Sequence, residues 1–180
     1  MTAGDYLAWE SAQAEKHEFF RGEVCAMAGG SVRHNALSVR VARALSSALE
    51  GRGCVVLSSD QRVVGAADHY VYPDLTVACG ALEIRTHDVL ANPTALVEVL
   101  SATTEQYDRG LKWEGYQRIG SLQDYVLVSR TEPRLEVFRR AADGTWIYQA
   151  VGSGERLTLS SGAVLTVDEI FAGLDELPGD

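Results

Sequence analysis

Lysine is nearly absent from this chain. There are two, Lys16 and Lys112, against fourteen arginines in 180 residues. Arginine is the default cation here, so each lysine asks for a reason: its ammonium is a compact point charge, whereas the guanidinium is a planar fork. Cysteine is scarce too. Cys25, Cys54 and Cys79 are odd in number and widely spaced. They show no metal-ligand spacing and no disulfide framework, so they read as small buried hydrophobes in a reducing cytoplasm. No apolar run approaches the ~20 residues of a membrane span. The N-terminus, Met-Thr-Ala-Gly-Asp-Tyr, lacks the basic and apolar regions of a secretory signal. There is no HExxH and no GxSxG elbow. Gly-Arg-Gly-Cys-Val-Val lacks the third glycine of a dinucleotide loop, and no Walker-type lysine follows a glycine-rich stretch. No repeat, low-complexity segment or linker divides the chain, so residues 1–180 are expected to form one domain.

Positive charge is also short. The net charge is −9, which argues against a broad electrostatic grip on nucleic acid. The distribution is uneven: −3 over residues 1–15, +3 over 16–52, and −9 over 53–180, with five acids between Asp168 and Asp180.

Capping residues and periodicity predict the elements. Thr2 caps a helix over about 3–12. His-Glu-Phe-Phe-Arg-Gly-Glu-Val-Cys-Ala-Met reads as two strands about Arg21-Gly22. Ala-Gly-Gly-Ser breaks the chain, and Ser31 caps a helix over about 32–51. Its expected apolar stripe is Val32, Ala36, Val39, Ala42 (or Val41), Leu45 and Leu49. Arg33, Arg40 and Arg43 lie off that stripe and are available to phosphates. Strands follow at about 54–58, 61–65, 70–78 and 95–100, then a helix at 104–119. A strand at 124–129, apolar on both faces, is central. A hairpin with an Asp-Gly turn and a short terminal helix complete the chain. The order implies an α/β (α+β) fold, a mixed central sheet flanked by helices.

The stretch Ala-Leu-Val-Glu-Val-Leu, 95–100, places Glu98 where every neighbour is apolar. An ionised carboxylate taken out of water needs compensation. Side chains alternate along a strand, so Glu98 shares a face with Leu96 and Leu100. In the preceding strand Asp74 shares a face with Tyr72, Thr76 and Ala78. If the strands are neighbours, two carboxylates meet in a poorly solvated place and must share a proton or a metal. Magnesium suits a site with few carboxylates, because it keeps waters and takes phosphate oxygens. Asp108 and Lys112, at i and i+4, lie on one face of the following helix, from which Lys112 can lean back towards Glu98. Two carboxylates plus a lysine form a kit for hydrolysing phosphodiesters. Simpler structural readings stand beside it: Asp74 ends a turn after Pro73, and Glu98 pairs with Lys112 or an arginine.

Tyr-Pro-Asp-Leu-Thr-Val, then Ala-Leu-Val-Glu-Val-Leu-Ser with the Asp108/Lys112 pair and the Tyr125 strand, resembles the Uma-type family of predicted restriction endonucleases within the PD-(D/E)xK nuclease superfamily. The resemblance covers nearly the whole chain. It implies a restriction-endonuclease-like fold with Asp74 and Glu98 as metal ligands and Lys112 as the catalytic lysine. The superfamily's lysine normally stands two residues after the glutamate; here that position is Leu100, and the lysine sits on the next helix. The expected activity is magnesium- (or manganese-) dependent cleavage of DNA by a homodimer in the cytoplasm, with no membrane partner. The alternatives are a non-catalytic nucleic-acid-binding or regulatory module and a hydrolase of a small phosphodiester. Glu18 is a candidate extra carboxylate ligand. His34, Arg33, Arg40 and Arg43 are candidate phosphate contacts, Asp108 a supporting residue, and Asp60 a candidate orienting residue.

Overall fold

The structure, a computed structural model, describes residues 1–27, 29–66 and 68–177. Ala28 of the Ala-Gly-Gly-Ser break and Asp180 of the acidic tail lie outside them. Helix α1 (Ala3–Glu10) starts from a capping box between Thr2 and Asp5. Strands β1 (His17–Phe20) and β2 (Glu23–Ala26) form the expected hairpin, with Arg21 and Gly22 both at positive φ. Helix α2 (Val32–Leu49) is capped by Ser31, whose hydroxyl accepts from the His34 amide. Next come β3 (Cys54–Ser58), β4 (Val63–Ala66), β5 (His69–Val71), β6 (Leu75–Cys79), β7 (Ile84–Arg85), β8 (Val89–Leu90) and β9 (Ala95–Val99). The following helix has three parts: α3 (Glu105–Tyr107), a π-helical turn (Asp108–Lys112) and α4 (Trp113–Tyr116). Strands β10 (Asp124–Val128), β11 (Arg134–Arg140), β12 (Trp146–Gly152), β13 (Arg156–Thr158) and β14 (Val164–Thr166) precede helix α5 (Val167–Phe171).

The fold is mixed α+β, as expected. One six-stranded sheet has the order β12-β11-β10-β9-β6-β3, with β9 and β10 parallel at its centre and its other pairs antiparallel. β10 is buried throughout, as its two apolar faces require. A second six-stranded sheet, β2-β1-β5-β4-β8-β7, was not anticipated. The strand expected at 70–78 is two strands, one in each sheet, because the chain turns at Tyr72-Pro73-Asp74. Proline has no amide hydrogen for a ladder, and the break there hands the chain from β5 to β6.

Helix α2 packs on one face of the first sheet. Its buried stripe is Leu37, Val41, Leu45 and Leu49, against Val97, Val99, Val126 and Val128. Val32 and Val39, expected inside, are 58% and 68% exposed. The heavier leucines at a four-residue spacing set which face turns inward. That rotation puts Arg33 and Arg40 at the margin of the buried stripe. The opposite sheet face carries Leu96, Leu100, Tyr116, Tyr125 and Leu127, together with Val63 and Leu90 of the second sheet.

The cysteines depart from expectation. Register pairs Cys54 on β3 with Cys79 on β6, and the two form a disulfide with a Cα–Cα distance of 4.0 Å. A separation of 25 residues carries no sign of this; only strand pairing brings them together. Cys25 is free and exposed. Among the described residues, no helix is long and apolar enough to cross a membrane.

Candidate active site

All five residues of β9 are buried, Glu98 included, at 3% exposure. Its compensation comes from the helix that follows. Glu98 Oε1 accepts from Lys112 Nζ at 3.0 Å and from the Tyr116 hydroxyl at 2.8 Å. Its other oxygen faces the backbone amide of Asp74 at a longer 3.4 Å. Asp74, at the joint between the two sheets, returns the contact: its Oδ2 accepts from the Val99 amide at 2.7 Å. The two carboxylates are thus cross-tied through each other's backbone, with the strands β6 and β9 paired beneath them.

Lys112 is 5% exposed and meets three carboxylates: Glu98 at 3.0 Å, Glu18 at 3.2 Å and Asp108 at 3.3 Å. They come from three segments, β9, β1 and the start of the π turn. Burial pulls the lysine pKa down, but the three carboxylates outweigh it and hold it well above the usual value. Glu98 goes up as well: burial raises it, Asp108, Asp74 and Glu18 add repulsion, and Lys112 opposes them. Burial raises Asp108 in the same way. Three carboxylates around one ammonium leave excess negative charge, so the lysine stays charged while Glu98 and Asp108 are pushed towards their protonated forms.

Local chemistry explains the geometry. The Tyr125 hydroxyl donates to the Asp108 carbonyl at 3.0 Å, at the point where the helix widens into its π turn. Such turns are often found at functional sites. Asp108 is fixed by the Thr104 hydroxyl at 2.8 Å, and Glu18 by the Tyr72 amide at 3.0 Å. His34 stands at the N-terminus of α2 with Nε2 3.1 Å from Asp74 Oδ2. Gly30 permits this, because a Cβ there would come within 2.5 Å of the ring. These groups line a cavity of about 500 Å³ between the β1–β2 hairpin, the start of α2 and the segment Ser101–Asp108.

Asp74, Glu98, Lys112, Glu18, His34 and Asp108 therefore come together. The other candidates do not. Arg33 donates to the carbonyls of Arg130 and Leu174, and Arg40 to those of Ile170 and Ala172. Both clamp the C-terminal segment onto α2 instead of facing phosphates. Arg43 is exposed on α2 and does not line the cavity. Asp60 is a surface residue, 85% exposed, paired with Lys16. The two lysines thus divide cleanly: one in a solvated pair, one in the buried cluster. Tyr116 was missed in the sequence, although it stands four residues after Lys112, the spacing that already linked Asp108 to Lys112. Tyr72 and Tyr107, which also line the cavity, gave no such signal.

The donors fit a hard cation held by few protein ligands. Among the described residues no group of three His, Cys, Asp or Glu side chains is placed to hold an ion. Glu98, with one oxygen committed to Lys112 and Tyr116 and the other turned towards Asp74, suits magnesium, which takes one or two carboxylates and completes its shell with water and phosphate.

The model of the Uma2 family, described as "Putative restriction endonuclease", matches residues 3–175. The chain is 38% identical over 172 residues to "Uncharacterized protein slr1290" of Synechocystis sp., covering 94% of this chain and 90% of that one. It is 31% identical over 150 residues to "Uncharacterized protein sll1609" of the same organism, covering 82% and 85%. Among solved structures, one titled as "a putative nuclease belonging to DUF820" from Anabaena variabilis superposes with a TM-score of 0.74 at 17% identity, over 90% of this chain and 93% of that one. At that identity the likeness speaks for the fold.

Proposed function

The chain belongs to the Uma2 family, and from that premise we propose that it is a divalent-metal-dependent DNA endonuclease working in the cavity at Asp74, Glu98 and Lys112. One observation carries the reading: a buried lysine contacts the same glutamate whose second oxygen lies at the Asp74 backbone amide, beside the Asp74 carboxylate that is tied to the Val99 amide. Asp74 and Glu98 would hold magnesium (or manganese), with Glu18 close by across Lys112. When bound, the ion supplies Lewis-acid polarisation of a phosphoryl oxygen and a lower pKa for coordinated water. Lys112, kept protonated by three carboxylates, acts by charge and by N–H donation: it orients the attacking water and offsets negative charge developing on the phosphate. Tyr116 and Lys112 together commit one Glu98 oxygen and so aim the other. Asp108 holds the ammonium in place from its own helix.

The test separates the roles. Calorimetry with manganese is expected to show binding that Glu98→Gln abolishes. Lys112→Arg is expected to keep fold and manganese affinity while losing most cleavage, because a planar fork does not fit the compact space between three carboxylates. Cleavage by Lys112→Arg at the wild-type rate under saturating metal would remove Lys112 from the mechanism.

A further inference from the structure

The depth of the site bears on its substrate. The side chains of Glu98, Lys112 and Asp74 are 4%, 7% and 16% exposed. A phosphate must come down into the cavity to meet them. In an intact duplex the phosphates face outward, but a whole nucleotide can follow its phosphate into a recess only once it is unpaired and unstacked. The cavity has room for such a nucleotide: its ~500 Å³ lies in the range of about 300–1,000 Å³ typical of small-ligand pockets.

The walls suit an unpaired nucleoside. Cys25, Ala26, Met27 and Ala102 line the cavity, apolar groups against which a base can pack, and the Tyr107 ring lies 5.5 Å from the Lys112 ammonium beside the acidic cluster. Hydroxyls of Ser31, Ser101, Thr103 and Thr104 also line the cavity; Thr104 already donates to Asp108 and Ser101 pairs with its neighbours, while Ser31, which accepts from the His34 amide, can donate to a sugar or phosphate oxygen. What a duplex requires is missing. Double-stranded DNA presents one charge per ~1.7 Å and is gripped by several Lys and Arg at once. Among the described residues lining the cavity, Lys112 is the sole Lys or Arg, and three carboxylates already surround it. Arg33 and Arg40, the nearby arginines of α2, are spent on backbone carbonyls.

We propose that the cavity takes one unpaired nucleotide, so that this protein acts on single-stranded DNA in preference to the same sequence as a duplex. This rests on the reading of the site given above. The experiment is fluorescence anisotropy with a short fluorescein-labelled oligodeoxynucleotide, single-stranded or annealed to its complement, with calcium in place of magnesium to hold back turnover. Wild type is expected to bind the single strand roughly 10- to 100-fold more tightly, the scale set by the cost of extruding a paired nucleotide. Ala26→Trp and Ala102→Trp add bulk at two exposed positions that line the cavity outside the acidic cluster. Each is expected to weaken single-strand binding about tenfold, one step on the affinity scale, while thermal melting and manganese affinity stay at wild-type values.

Equal or tighter duplex binding, no binding of either form, or tryptophan variants that bind like wild type would each overturn the proposal. Cleavage with magnesium tells its failure from that of the nuclease reading. A protein that prefers the single strand yet never cleaves loses the nuclease reading alone. One that cleaves both forms equally loses this inference alone.

Discussion

The two faces of β9 live in different surroundings. Val97 and Val99 point towards α2 into a wholly apolar cluster with Leu37, Val41, Leu45 and Leu49. Leu96, Glu98 and Leu100 point the other way, where Tyr116 and Tyr125 pack and where Glu18, Asp74, Asp108 and Lys112 gather. Both faces are equally dry. On the first, dryness is the source of stability, since apolar area leaves water. On the second it is a cost that the Lys112 contacts offset and that sharpens every charge interaction in the site. A strand buried on both sides thus serves as packing on one and as chemistry on the other.

The sharpest way to break this contrast is Lys112→Ala. Removing one partner of a buried ionic cluster leaves the remaining charges uncompensated, at about 3–5 kcal/mol. Urea denaturation is expected to show that loss at neutral pH and a smaller one as pH falls and the carboxylates protonate. A loss independent of pH would mean that packing of the lysine stem is what matters. On the other face, Leu45→Ala is expected to cost about 3 kcal/mol by leaving a cavity, with a loss that does not depend on pH and with manganese affinity unchanged. A shift in manganese affinity would show that the two faces are mechanically coupled.

His69 sharpens the comparison, because it is a polar group buried without compensation. It is fully buried, and neither ring nitrogen has a hydrogen-bond partner among the described residues. Gly115 admits it: a Cβ there would come within 1.7 Å of its Nδ1. Burial, assisted by Lys112, lowers its pKa from 6.5 to about 4. The unfolded chain therefore takes up the proton first. Stability is lost as pH falls below 6.5 and the loss levels off below about 4. The two pKa values differ enough for roughly 3 kcal/mol. Glu98 and Asp108, raised in the fold, act in the opposite sense, so the quantity to read is the difference between wild type and His69→Asn. That difference is expected to change across the window between those two values; a flat difference would show that His69 does not titrate there.

The smallest effect is expected from Glu98→Gln without metal. It removes one of four crowded carboxylates but keeps an oxygen for Lys112 and Tyr116. Its melting temperature at neutral pH is expected to equal or exceed that of wild type, while a clear loss would make the Glu98–Lys112 pair a stabilising element in its own right.

Much of the site could be read from local pattern. Glu98 in an apolar strand, Asp74 after a proline and Lys112 four residues from Asp108 each stand out against their neighbours. The helical faces were harder. The stripe through Val32 and Val39 is as periodic as the one through Leu37 and Val41; the packing surface beneath α2 selected the second. Arg33 and Arg40 were misjudged for the same reason, since their carbonyl partners lie 97 to 141 residues away.

By itself the sequence determined the longer helices and strands, the mixed α+β class and the short list of residues with chemistry in them, because capping, periodicity and isolated charges act over a few residues; the short strands β7, β8, β13 and β14 and the π turn were not legible in it. Only the tertiary structure decided the split of one expected strand into two sheets, the Cys54–Cys79 pairing, and the arrival of Glu18 from the β1–β2 hairpin at the Lys112 ammonium. Those outcomes depend on register and on which buried face meets which. They are set by the balance of packing and desolvation over the whole chain, and no window of sequence contains both partners.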